Sequence, residues 1–214
     1  MANREDILSL ITQNKNSFPY EIERKKRIEE ALSNLDKNAY SDKPNTNILK
    51  LFSKRFEEAN GKIFFVNSLE EIIKTLKNIA NKNNVTQFFT YNKEINNALD
   101  KFNWTNNIIN ANATITFCDY LIARTGTIMV STFSVKGRKV ISYPDISIII
   151  AEKSQLVFGL NEAINKFLTK HKTFPSFVSF ITGVSKTADI EKTLILGAHG
   201  PKKIFLLLSN KKII

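Results

Sequence analysis

The chain has 214 residues, a formal net charge of +11 and one cysteine, Cys118. Its length suits one generous domain with or without a helical appendage, and 43% hydrophobic with 24% charged residues excludes the disordered, fibrous and disulfide-built classes. A single thiol excludes an internal disulfide, a cysteine-based zinc site and a Cys-ligated iron–sulfur cluster, and no metal site is expected.

From the front, Asn3 can cap a helix through about Thr12, with Ile7, Leu8, Leu10 and Ile11 at helical spacing. Arg4, Glu5 and Asp6 interrupt any apolar core there, so Met1–Leu10 does not read as a secretory signal. No apolar run approaches the ~18 residues of a membrane span, and a cytoplasmic protein is expected. Residues 13–45 are polar and charge-mixed, a linker with one short helix around 20–34. A helix returns at 46–59, where Ile48, Leu49, Phe52 and Phe56 share a face and Gly61 terminates it. Residues 1–60 therefore read as an N-terminal helical arm and linker for docking or homo-oligomerisation.

From 61 to 214 short apolar runs alternate with amphipathic helices, the signature of an α/β domain with an open, mostly parallel sheet. Ile63–Val66 predicts a strand; Ser68 with Glu71 predicts a capping box for a helix lined by Leu69, Ile72, Ile73, Leu76 and Ile79. Strands follow at 86–91, 114–122, 127–132 and 146–151, with helices at 93–102 and 160–169. Phe177–Thr182 and Ile204–Leu208 close the sheet.

The positive charge concentrates on this body. Residues 1–62 hold 12 Lys/Arg against 10 Asp/Glu, and 63–214 hold 19 against 10. Nucleic acid is not the expected partner, because no helix gathers the charge and no RNA-binding aromatic motif accompanies it. A small anionic ligand fits better.

Three segments place glycine and polar residues where strands alone would prefer apolar ones. In Arg124-Thr125-Gly126-Thr127, glycine permits a turn and the threonine hydroxyls can donate to an anion, although the spacing alone favours a plain hairpin. In Gly183-Val184-Ser185-Lys186-Thr187-Ala188-Asp189-Ile190-Glu191, a strand ends in a glycine turn and Ser185 or Thr187 is expected to cap a helical turn. Asp189 and Glu191 either serve chemistry there or merely complement the helix dipole. Gly183, Ser185, Lys186 and Thr187 would then form an anion site at a strand's carboxyl end, facing a helix N-terminus. In Gly197-Ala198-His199-Gly200-Pro201 the glycines and proline hold one imidazole in a stiff frame. His199, with Asp189 or Glu191 orienting it, is the candidate proton acceptor. The three segments are expected to meet in one crevice.

Taken together, Thr125-Gly126-Thr127, Gly183–Glu191 and Thr193–Pro201 resemble the LUD-domain family, in particular the C-type proteins of lactate-utilisation operons, over residues 60 to 208. The resemblance implies a fold of the sugar-phosphate isomerase and CoA-transferase type. It also implies support of L-lactate oxidation to pyruvate alongside iron–sulfur partner subunits, with no cofactor on this chain. Two departures stand out: Arg124 replaces a commoner acidic residue, and Val184-Ser185-Lys186 a commoner proline–serine–arginine run. Whether the chain catalyses a step, acts as a non-catalytic assembly or regulatory subunit, or is a sugar-phosphate or CoA-ester enzyme stays open at the level of sequence.

Overall fold

The computed structural model describes residues 47–190, 193–196 and 200–214, with only the backbone over 186–190 and 193–196, together with Glu23, Lys26, Arg27 and Glu30. Two units are distinguished. The first comprises residues 1–43 and 168–174, the second 44–167 and 175–214. Of the first unit's front segment the structure describes four helical residues, joined by exposed ion pairs one helical turn apart, Arg27–Glu23 at 2.6 Å and Lys26–Glu30 at 3.9 Å.

The second unit begins with helix α1 (Ile48–Glu58). Asn47 caps it, its side chain accepting from the amides of Leu49 and Lys50. One turn apart on its inner face, Phe52 and Phe56 stack at 5.5 Å and are wholly buried. This helix, which composition groups with the front segment, thus packs within the unit that holds the sheets. Strand β1 (Gly61–Val66) follows, and a side chain at Gly61 would overlap the Phe56 ring. Helix α2 (Leu69–Asn83) starts as its sequence predicts, with Ser68 Oγ accepting from the Glu71 amide. The Glu71 carboxylate returns the contact one residue further out than a standard capping box, accepting from the Asn67 amide at 2.7 Å.

Next come β2 (Phe88–Phe89), α3 (Lys93–Ala98), β3 (Ala113–Phe117), β4 (Tyr120–Ile122), β5 (Thr127–Ser131) and α4 (Thr132–Val135). Then follow β6 (Ile146–Glu152), β7 (Leu156–Val157), α5 (Leu160–Lys170), β8 (Val178–Ile181), β9 (Lys186–Ile190), β10 (Thr193–Leu196) and β11 (Lys203–Ser209). The central sheet runs β1-β11-β6-β3-β2 and is parallel throughout. Its inner strands β3, β6 and β11 are buried on both faces and mostly apolar, with Thr114, Thr116, Ser147 and Ser209 as buried polar exceptions. Ile148, Ile150, Phe205 and Leu207 face Ile72, Leu76 and Ile79 of α2. The alternate residues Ile149, Ala151, Leu206 and Leu208 face α1 and a second sheet.

That second sheet, β7-β4-β5-β8, mixes parallel and antiparallel pairs, and α5 rests Ala163 and Phe167 against it. It accounts for the largest departures from the expected elements. The apolar run 114–122 forms two strands, because the chain turns at Cys118-Asp119 from the central sheet into the second. Strands 127–131 and 178–181 join the second sheet instead of closing the first. The helix expected after Ser185 is strand β9, paired antiparallel with β10. The extended backbone satisfies its polar groups across that ladder, and no helix N-terminus exists at residues 186–190.

The burial of α1 sets where the chain can be shortened. A chain starting at residue 44 is expected to keep a cooperative melting transition, whereas one starting at residue 60 loses two buried phenylalanines, each worth about 3–5 kcal/mol when truncated to alanine, and should melt without cooperativity. Calorimetry on the two truncations checks this.

Candidate functional site

The first two glycine-bearing segments meet at the ends of β5 and β8. The antiparallel register sets Ile128 opposite Ile181, so Thr127 and Thr182 lie side by side with their hydroxyl oxygens 2.6 Å apart. Thr127 is buried and Thr182 is exposed. The turn carrying Arg124 and Thr125 is held by its backbone: the amides of Ala123 and Arg124 donate to the carbonyls of Val157 and Phe158. Arg124 is half-buried and Thr125 exposed.

Gly126 and Gly183 both have left-handed backbone, φ +65° and +75°. A side chain at Gly126 would come within 2.5 Å of the α1 backbone at Arg55 and Phe56, and one at Gly183 would fall on the carbonyl oxygen of Ala59. The Val184 amide donates to that same carbonyl at 3.4 Å. The glycines are thus required by the close approach of α1, a reason not contained in their own segments.

The third segment joins at Ser185, whose amide donates to the Pro201 carbonyl at 3.3 Å, while a side chain on Gly200 would lie 3.1 Å from the Ser185 Cβ. Thr127, Thr182, Gly183, Ser185, Gly200 and Pro201 therefore form one neighbourhood. The side chains of Lys186, Thr187 and Asp189, and all of Glu191 and His199, lie outside the described residues. The neighbourhood follows the carboxyl end of β8, but Ala59 and Pro201 immediately precede β1 and β11. It thus sits at the amino end of the central sheet, opposite the end where open α/β sheets usually hold ligands.

At the carboxyl ends of β2 and β3 lies a polar cluster that sequence reasoning passed over. Ser134 Oγ donates to Asp119 Oδ2 at 2.8 Å, and Asn92 Nδ2 donates to the Ser134 carbonyl at 3.0 Å; all three residues are buried. Ser131 caps α4 reciprocally with Ser134, and Gln155 Nε2 donates to the carbonyls of Cys118 and Asp119. The cluster pins α4 and the β3–β4 corner to the end of β2. Its signal was Cys-Asp within an apolar run and the pair Ser131 and Ser134, hidden by reading 114–122 as one strand. Burial, reinforced by the charges of Asp119 and Glu152, pushes the Cys118 thiol far above its ordinary range.

Comparison with known proteins places this architecture in a class and then in a family. A crystal structure of a DUF162 family protein from Deinococcus radiodurans shares the fold, with a TM-score of 0.57, 18% identity, and coverage of 76% of this chain and 96% of that one. The LUD domain family model matches residues 86–209, more than half of the chain, which therefore belongs to the LUD domain family. Curated relatives bearing the name lactate utilization protein C include those of Geobacillus sp. (strain WCH70), 41% identical over 96 residues, and Bacillus subtilis (strain 168), 36% over 105. The matches cover 44% and 47% of this chain, and 40% and 44% of those relatives, so the matched region spans less than half of their length.

Two expected outcomes follow from this geometry. Gly126→Ala and Gly183→Ala should each destabilise by more than the ~1–2 kcal/mol of a left-handed non-glycine residue, because a backbone overlap adds to it; chemical denaturation reads the difference. Cys118 should stay unreactive toward a thiol-specific disulfide reagent at pH 8 in the native protein and react at once on unfolding. The raised thiol pKa keeps the neutral, unreactive form at every pH below it.

Proposed function

We propose that the chain serves lactate utilisation by binding a small carboxylate, L-lactate or its product pyruvate, beside Thr127, Thr182 and Ser185. The observation carrying this reading is the meeting of the three segments through the Thr127–Thr182 hydroxyl pair and the Ser185–Pro201 bond, since those segments also carry the likeness to the family. The names of the curated relatives and the positive balance of residues 63–214 support it. In this reading Arg124 and Lys186 attract the carboxylate, and the hydroxyls of Thr125 and Thr187 orient it. His199 accepts the proton of the lactate hydroxyl, with Asp189 or Glu191 orienting the imidazole.

Oxidation of lactate to pyruvate releases two electrons and two protons. His199 takes the hydroxyl proton, and the hydrogen on Cα leaves with the electron pair to an electron acceptor of the iron–sulfur partner subunits, since one cysteine cannot hold a Cys-ligated cluster on this chain. A second reading, a non-catalytic assembly subunit for those partners, is favoured by the packing roles of Gly126 and Gly183 and by hydroxyls at Thr127 and Thr182 that already pair with each other.

Calorimetric titration of the purified chain with L-lactate and with pyruvate separates the two. Binding of either acid, weakened about tenfold by Ser185→Ala or His199→Ala with the melting temperature unchanged, supports the metabolite reading. Absence of binding, together with co-purification of iron–sulfur proteins, supports assembly.

A further inference from the structure

A pocket of about 350 Å³ opens at the amino ends of β3, β6 and β11. We propose that it binds an organic anion carried on a flat ring, with Lys202 and Lys203 taking the anionic group and Tyr143 the ring. Its volume lies at the lower end of the ~300–1,000 Å³ of small-molecule sites and exceeds what a three-carbon acid fills. None of Thr125–Thr127, Gly183–Lys186 or Gly200–Pro201 lines it, so the proposal stands independently of the lactate reading.

The lining is divided in the way ligand sites are. Ile109 and Tyr143, 66% and 52% exposed, reach the same opening from separate loops. A single exposed apolar residue is ordinary, but two converging on one concavity form a face for an apolar body. Opposite in character are two ammonium groups and one carboxylate. Lys202 Nζ pairs with Asp145 Oδ2 at 3.0 Å, and Lys203 Nζ donates to Asn83 Oδ1 at 2.6 Å. Asp145 and Lys202 remain more than half exposed, so their pair is weak and an incoming anion displaces the carboxylate at small loss. Asn83 is neutral, so it positions the Lys203 charge without cancelling it.

One feature of the surroundings opposes an anion. Helix α2 ends at this pocket, and a helix C-terminus is its negative end. Two carbonyls of its last turn are engaged, however: Ile79 accepts from Asn83 Nδ2, and Ala80 accepts from the amides of Asn84 and Val85. Lys203 stands at the same end as a counter-charge, and with Lys202 it outnumbers the one lining carboxylate, that of Asp145.

The test is amide chemical-shift mapping on the full chain with adenosine 5′-monophosphate and benzoate as ring-bearing anions, adenosine and inorganic phosphate as the separate halves, and L-lactate. We expect one or both ring-bearing anions to shift the amides of Asn84, Tyr143 and Lys203. Which one does so tells a phosphate-bearing ligand from an aromatic acid. Adenosine, phosphate and lactate should leave those amides in place at the same concentration. Lys203→Gln and Tyr143→Ala should each weaken the response about tenfold without changing the melting temperature. The proposal is overturned if neither ring-bearing anion moves these amides, if adenosine or phosphate alone does so as strongly, or if both variants respond like the parent. A lactate titration that fails at Thr127 and Ser185 leaves this outcome untouched.

Discussion

The close approach of one short helix to two glycine turns organises this protein. Helix α1 buries Phe52 and Phe56 against the inner face of the central sheet. In doing so it brings its backbone so near Gly126 and Gly183 that neither position tolerates a Cβ. Interiors packed to crystal-like density leave no slack for such a contact. The turn after β8 then sits over the start of β1, Ser185 reaches Pro201, and Thr127 reaches Thr182. The neighbourhood proposed to receive a carboxylate is a by-product of that docking.

The central sheet illustrates how burial on two faces writes itself into sequence. Consecutive residues of β6 alternate between two cores, Ile148 and Ile150 on one side, Ile149 and Ala151 on the other. Both faces favour apolar residues, so Ile148–Ala151 shows a run and not an alternation. Such runs made the α/β class legible from the residues alone, as did the Ser68–Glu71 pairing at the start of α2. Both signals are local: a cap lies within four residues of its helix, and a run identifies a strand whatever its neighbours.

What escaped the sequence depended on distant partners. The run 114–122 reads as one strand despite Asp119, and only the second sheet reveals that Cys118-Asp119 is a corner, held by Gln155 and Ser134 from further along the chain. Residues 185–191 carry hydroxyls and carboxylates in a helix-start arrangement, yet pairing with Thr193–Leu196 outweighs that preference, which is a weak prior. The packing demand on Gly126 and Gly183 was hidden because the neighbours that impose it, Arg55 and Phe56 for the first and Ala59 for the second, lie 70 or more positions earlier. Thr127, Ser185 and Pro201, one from each segment, come into one neighbourhood, while the end of the central sheet on which they lie was not legible. That end is decided by how α1 and β1 enter.

The order of the central sheet also bears on how the chain is made. Its second strand in space, β11, is separated from its neighbour β1 by most of the domain, with Gly61 set against Ile204. At ribosomal rates of roughly 5–20 residues per second, on the order of ten seconds pass between synthesis of the two. Throughout that interval β1 lacks its one partner in the sheet, β6 joins it with an open edge once made, and β1 carries Phe64 and Phe65 on its surface. The nascent chain therefore holds its central sheet open until β11 has been translated. During that window the open edges are the part of the chain most prone to pair with another chain.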